Sequence, residues 1–212
     1  ESVVKAVEGG ERLRAGLLAA ETVTVGHGWS VPKRIRFAQE LMEGFASGGK
    51  YALAWDEARG DVEAELLRGE ITKEVANQFL SLEPQLGLLP LGPDPDSNKW
   101  EFADLATGAL ATRDGDGRLR ITAGTGLVLV LIPECDFLMG SEKLRGAKPR
   151  HTVHLSSYFL SKYEMTQGQW VRLTGRNPSA YRPGVTAAEE WLTDEDSDYL
   201  LHPVEQVSWI EC

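Results

Sequence analysis

Between Phe137 and Trp170 the chain reads FLMGSEKLRGAKPRHTVHLSSYFLSKYEMTQGQW, and that order of local signals leaves little freedom in how the backbone can run. A short apolar strand, Phe137–Gly140, ends in a Met-Gly-Ser turn at Met139–Ser141, a charged loop follows, and alternation resumes at His151–Leu155. A further strand is expected over Tyr158–Lys162. Thr166 and Gln169 then stand at the N-cap and N3 positions of a capping box, with Met165 and Trp170 where a hydrophobic staple would close the corner. The spacing predicts an abrupt strand-to-helix turn at Met165 and a helix from Gln167 to about Thr174. That helix should face Trp170, Val171 and Leu173 inward and end at Gly175.

Upstream, residues 1–83 read as helical. Glu11–Glu21, Pro32–Ala46, Tyr51–Leu67 and Lys73–Leu82 carry the helix-forming or periodic apolar residues. Thr72 is a candidate N-cap, and Gly9-Gly10, Gly26, Gly28 and Gly48-Gly49 stand at the expected ends. From Pro84 the character changes: Pro84, Pro90, Pro93 and Pro95 interrupt any helix, and Leu86–Leu89 supplies one short strand, so a boundary is expected here. Trp100–Leu105 and Arg118–Thr122 read as two strands joined through Gly108 and the turn Asp114–Gly117. Asp114-Gly-Asp-Gly117 lacks the distal glutamate of a calcium loop, so a hairpin turn is the reading kept. Leu127–Pro133 is apolar without alternation, which predicts a central strand buried on both faces. Residues 176–201 show little periodicity and are expected to form a long irregular segment.

The balance of 22 basic against 32 acidic residues, a net charge of −10, argues against a nucleic-acid partner, whose phosphates demand Lys and Arg. No apolar run approaches bilayer length and no signal segment opens the chain, so a soluble, cytoplasmic protein without a membrane partner is expected. Cys135 and Cys212 lie outside any ligand spacing and are read as free, buried thiols. Glu1 in place of Met, and a second capping box at Ser208–Glu211 with only Cys212 after it, suggest a piece of a longer protein.

Few residues qualify for chemistry. His151 and His154 alternate on a strand, face opposite sides and cannot chelate one ion together. Glu164 could act as an acid or base, but just before a helix it suits a carboxylate that accepts backbone N–H groups. The acidic run Asp194–Asp198 is read as a solvated loop rather than a cation site. His202-Pro203 forces an extended approach to Val204–Val207. There is no nucleophile elbow, zinc quartet, phosphate loop or kinase motif, so no catalytic, cofactor-binding or metal residue is assigned.

Five motifs in fixed order carry a resemblance. F-L-M-G-S, H-T-V-H-L, Y-F-L-S-K-Y-E-M-T followed by Trp170, then Asn177-Pro-Ser and H-P-V-E-Q-V-S-W, resemble the first half of the formylglycine-generating enzyme (sulfatase-modifying factor) superfamily. The resemblance covers residues 125–212, and its framework positions here are Met139, Gly140, Ser141, Glu164, Thr166, Pro203, Val204, Ser208 and Trp209. Gly87–Phe102 resembles the segment that precedes this domain in bacterial proteins joining it to a serine/threonine kinase. The fold thus implied is α+β: a helical N-terminal segment over 1–83, a Pro/Gly-rich connector with short strands over 84–124, and over 125–212 a partial C-type-lectin-like domain with mixed sheets and long irregular loops. The activity implied for the intact domain is oxygen-dependent oxidation of a cysteine in a protein client to formylglycine. The alternative is a non-catalytic recognition module attached to a kinase. The family's copper and calcium sites lie in a second half that this stretch does not match, and other superfamily members use iron, so membership does not fix a reaction.

Overall fold

The computed structural model describes residues 31–182 and 197–212. The helix expected over Glu11–Glu21, the glycines before Ser30 and most of the acidic run Asp194–Asp198 lie outside the described residues. The chain is α+β. Three helices come first, α1 (Val31–Phe45), α2 (Lys50–Arg68) and α3 (Lys73–Leu80), and all three fall where the apolar spacing placed them. Thr72 caps α3, its hydroxyl accepting from the Val75 N–H at 3.4 Å, and Gly69 closes α2 at φ 73°.

A four-stranded antiparallel sheet follows, in the order β1 (Leu88–Pro93), β2 (Trp100–Asp104), β5 (Val128–Ile132), β8 (Tyr158–Ser161). Two short ribbons stand outside it. One joins β3 (Thr112–Arg113) to β4 (Leu119–Arg120), and the other joins β6 (Cys135–Met139) to β7 (His151–Leu155). The final helix, α4, spans Gln167–Thr174 as expected.

The proline-rich stretch is not the structural break that its composition suggested. Pro90 and Pro93 sit inside β1, opposite Phe102 and Trp100, and the register shifts by a bulge between Pro90 and Gly92. This is possible because β1 is an edge strand, where a missing N–H need not cost a ladder bond. Side chains from α2, α3 and the sheet form the main core: Trp55, Ala58, Val62, Ala76 and Phe79 pack with Leu88, Trp100, Phe102 and Leu131, while Leu41 of α1 packs with Leu89 and Leu105 in a second cluster. Phe79 lies 4.3 Å from the Trp100 ring centroid, and Trp55 lies 5.6 Å from Phe102. Each such aromatic pair adds about 1 kcal/mol beyond its area. The indole N–H of Trp55 donates to the Leu88 carbonyl at 2.8 Å, which fixes α2 over β1. The division of the chain at 83 and 124 remains a proposal about its organisation, and the packing runs through residue 84.

Other expectations need correcting. Trp100–Asp104 pairs with β1 and β5, not with the strand near Leu119, whose partner is Thr112–Arg113. The hairpin turn itself is as read: Asp114 Oδ1 accepts from the N–H groups of Asp116 and Arg118, both at 3.0 Å. β5 is interior to the sheet, yet only Val128 and Leu131 are buried, and Leu129 and Val130 between them are partly exposed. Leu173 is 41% exposed, so α4 buries Trp170 but turns Leu173 outward. Cys135 and Cys212 are free but exposed, since β6 is uncovered along its length and Cys212 ends the described chain.

Candidate functional site

The strand-to-helix corner at Met165 is where the sequence motifs converge. Its capping box is complete: the Gln169 N–H donates to Thr166 Oγ1 at 3.2 Å, and the Thr166 N–H donates to Gln169 Oε1 at 2.9 Å. Gly175 ends the helix at φ 76°, its N–H donating to the Val171 carbonyl. The corner is pinned from the far end of the chain by a short antiparallel bridge between Thr166 and Pro203. Gln167 N–H donates to the His202 carbonyl at 2.9 Å, and Val204 N–H to the Met165 carbonyl at 2.8 Å. Beyond this bridge the expected strand to Val207 does not form, and Gln206 takes φ 61°.

Gln167 is fully buried and fully used. Its amide donates to the Tyr181 carbonyl at 3.0 Å and accepts from the Asn177 side chain at 2.8 Å. Asn177 Oδ1 in turn accepts from the Ser179 N–H, Ser179 Oγ from the Glu205 N–H, and Glu205 from the Tyr181 N–H. This network ties Asn177-Pro-Ser and Glu205 to the corner: the loop after α4 has no regular ladder, so side chains satisfy its backbone. Beside the corner lies an open recess of about 490 Å³ lined by Leu119, Ile121, Tyr163, Glu164, Thr166, Leu201 and Pro203.

A second polar centre, absent from the sequence reading, sits across the main sheet. Glu101 on β2 is completely buried, and Asp94 nearly so. Lys162, directly after β8, bonds Asp94 Oδ1 at 2.8 Å and also Glu101 Oε1. Arg113 approaches Glu101 Oε2 at 2.9 Å and donates to the Leu91 and Gly92 carbonyls. The Lys162 bond, with help from Ser97, holds the Asp94 carboxyl down at about 2. Burial opposes the charge on Lys162, but its bonds to Asp94 and Glu101 outweigh this and raise its pKa. Every charge has a partner, so the geometry is that of a clamp between strands.

The sequence-predicted framework residues occupy separate places. Met139 ends β6 and is half-exposed, and Gly140 follows at φ 99°. A Cβ on Gly140 would meet the Ala147 carbonyl oxygen at 2.5 Å. Ser141 Oγ accepts from the N–H groups of Lys143 and Leu144, which rounds the turn. Glu164 is exposed at the rim of the recess and accepts no hydrogen bond among the described residues, contrary to the role expected for it. Thr166, Pro203 and Val204 form the bridge. Ser208 meets Glu211, but only half of its capping box is made: the Ser208 N–H reaches the carboxylate, while the hydroxyl donates to that carboxylate instead of accepting from the Glu211 N–H. Trp209 is 91% exposed. The histidines are engaged separately, His154 with Asp136 at 2.8 Å and His151 with the Pro149 carbonyl at 3.0 Å.

Among the described residues no group of three or more His, Cys, Asp or Glu side chains could hold a metal ion. The described residues therefore do not fit the copper, calcium or iron that the resemblance implies. No described helix is long and apolar enough to cross a membrane. Residues 122–212 match the family model described as the sulfatase-modifying factor enzyme 1-like domain. Comparisons of the chain with curated proteins and with solved structures find no match.

Proposed function

We propose, taking residues 122–212 as a stretch of a sulfatase-modifying factor enzyme 1-like domain, that this chain supplies the framework of a domain that oxidises a cysteine of a protein client to formylglycine with molecular oxygen. The family match is the observation that carries the reading. The part assigned to the described residues is positional: the capping box, the Thr166–Pro203 bridge and the Gln167 network hold the corner and the recess beside it in one geometry. No step of the oxidation is assigned to them, because they lack a metal-ligand cluster.

The test is aldehyde formation. The protein carrying these 212 residues is incubated with a cysteine peptide of the sulfatase type, copper or iron, and air, and the peptide is probed with an aminooxy reagent. Oxygen-dependent labelling at the cysteine position is expected. A folded, metal-supplied preparation that never yields aldehyde would sink the oxidase reading.

A second reading is favoured by the recess itself. Tyr163 and Glu164 stand exposed at a mostly apolar hollow, and the Glu164 carboxylate has no hydrogen-bond or ion-pair partner among the described residues. In this reading the domain is a non-catalytic recognition module that presents a protein client to an attached serine/threonine kinase. Peptide binding without turnover, abolished by Glu164→Ala, supports it. Absence of a catalytic-loop Asp and a magnesium-binding Asp anywhere in the parent protein removes the kinase.

A further inference from the structure

Arg172, on α4, is held unlike the arginines that meet carboxylates. Arg68, Arg113, Arg118 and Arg176 each pair with an acidic side chain. The half-buried Arg172 guanidinium instead donates to three main-chain carbonyls, those of Thr107 at 2.6 Å, Ala123 at 2.7 Å and Thr125 at 2.7 Å. Carbonyl dipoles satisfy N–H donors but do not neutralise a full charge. A guanidinium carries five N–H donors in a rigid fork, so donors remain on both terminal nitrogens. Burial alone acts on this group and pulls its pKa down.

The same side chain lines an open recess of about 270 Å³ with Arg34, Phe37, Ala106 and Leu173. Arg34 enters from the first turn of α1, is exposed, and makes no ion pair with any described residue. Two cations thus face one hollow in a chain whose net charge is −10, and neither has an acidic partner there among the described residues. Like charges brought together at a partly desolvated site cost stability unless an anion lies between them. The hollow is too small for a drug-sized molecule but has room for a single anionic group. Arg172 is already fixed by its carbonyl bonds, so binding would order only Arg34, which lowers the entropy cost.

We propose that the recess between Arg34 and Arg172 binds a small oxyanion, a carboxylate or a phosphate group. The inference stands independently of the oxidase reading, since it uses neither the family match nor the corner at Met165. It is tested by calorimetric titration of the folded protein with sodium phosphate and, separately, with sodium acetate at constant ionic strength. Saturable binding of at least one is expected, and the tighter of the two tells a tetrahedral from a planar ligand. Arg34→Gln should weaken binding about tenfold, the loss of one charge-assisted contact. The Arg34 side chain makes no hydrogen bond among the described residues, so circular dichroism should be unchanged. Arg36→Gln removes the same charge from an exposed position on the same helix outside the recess, and should change binding by less than about twofold. No saturable binding by either anion, or equal losses in the two variants, overturns the proposal.

Discussion

Lys162 shows most plainly what a single residue can do in this fold. It stands one position past β8, and its ammonium joins Asp94 in the β1–β2 loop to Glu101 in β2, across 68 and 61 positions of sequence. Replacing it by Met leaves two buried carboxylates facing each other with only Arg113 to balance one of them. Lys162→Met should therefore destabilise the chain by about 3 kcal/mol, read as a lower urea midpoint. The pH dependence has a definite sign. The folded Asp94 carboxyl titrates at about 2, below its ordinary value near 4, so its contribution is present above about pH 4 and is lost as pH falls towards 2. Asp94→Asn should flatten that limb of an acid-unfolding curve. None of this was legible in the sequence. Glu101 lies in an ordinary-looking strand and Lys162 in a motif noticed for other reasons, and their pairing depends on a register that only the folded sheet sets.

At the scale of elements, the helices were the most legible part. α4 carries start and stop signals within one turn of each end, and the spacing of Thr166, Gln169 and Gly175 placed it to the residue. What spacing did not reveal is which face is buried: Leu173 points outward while polar Arg172 goes inward to bond carbonyls, reversing the apolar rule. Apart from β3, which was not anticipated, strands were placed within a few residues, but their pairing was misread where turn chemistry suggested a simple hairpin from Trp100 to Thr122. Two helical glycines make the difference between local and tertiary control measurable. Gly60, in the exposed middle of α2, has open space where a Cβ would go, so Gly60→Ala should stabilise by about 1 kcal/mol. Gly168, in α4, would place its Cβ 2.9 Å from the Ala123 carbonyl oxygen and 3.2 Å from that of Leu200. Gly168→Ala should therefore destabilise by about 1–3 kcal/mol despite the gain in helix propensity, and thermal melts of the two variants should move in opposite directions.

Across the whole molecule, stability is unevenly distributed. The helices and the four-stranded sheet share the aromatic interior, whereas the β6–β7 ribbon is two strands wide, and every residue of β6 is exposed. Two strands without a covered face are marginal on their own. Hydrogen exchange should accordingly be fastest, among the described strands of five residues, in Cys135–Met139 and His151–Leu155, and slowest in Trp100–Asp104. Equal protection of β6 and β2 would contradict this ordering. Alternation in the sequence announced the ribbon's strands, but not that they would stand apart from the main sheet, because alternation specifies a strand and not its neighbours.

The placement of the indoles has an optical consequence. Trp55 and Trp100 are buried beside Phe79, while Trp209 is 91% exposed. Emission from the first two should lie to the blue and resist acrylamide, whereas Trp209 should emit to the red and be quenched readily. Replacing Trp209 by Phe would remove a red component, and among the five tryptophans that remain Trp55 and Trp100 are the two set in the interface of α2 and α3 with the sheet, so that a red shift on undocking of the helices could be followed in real time without attaching any label.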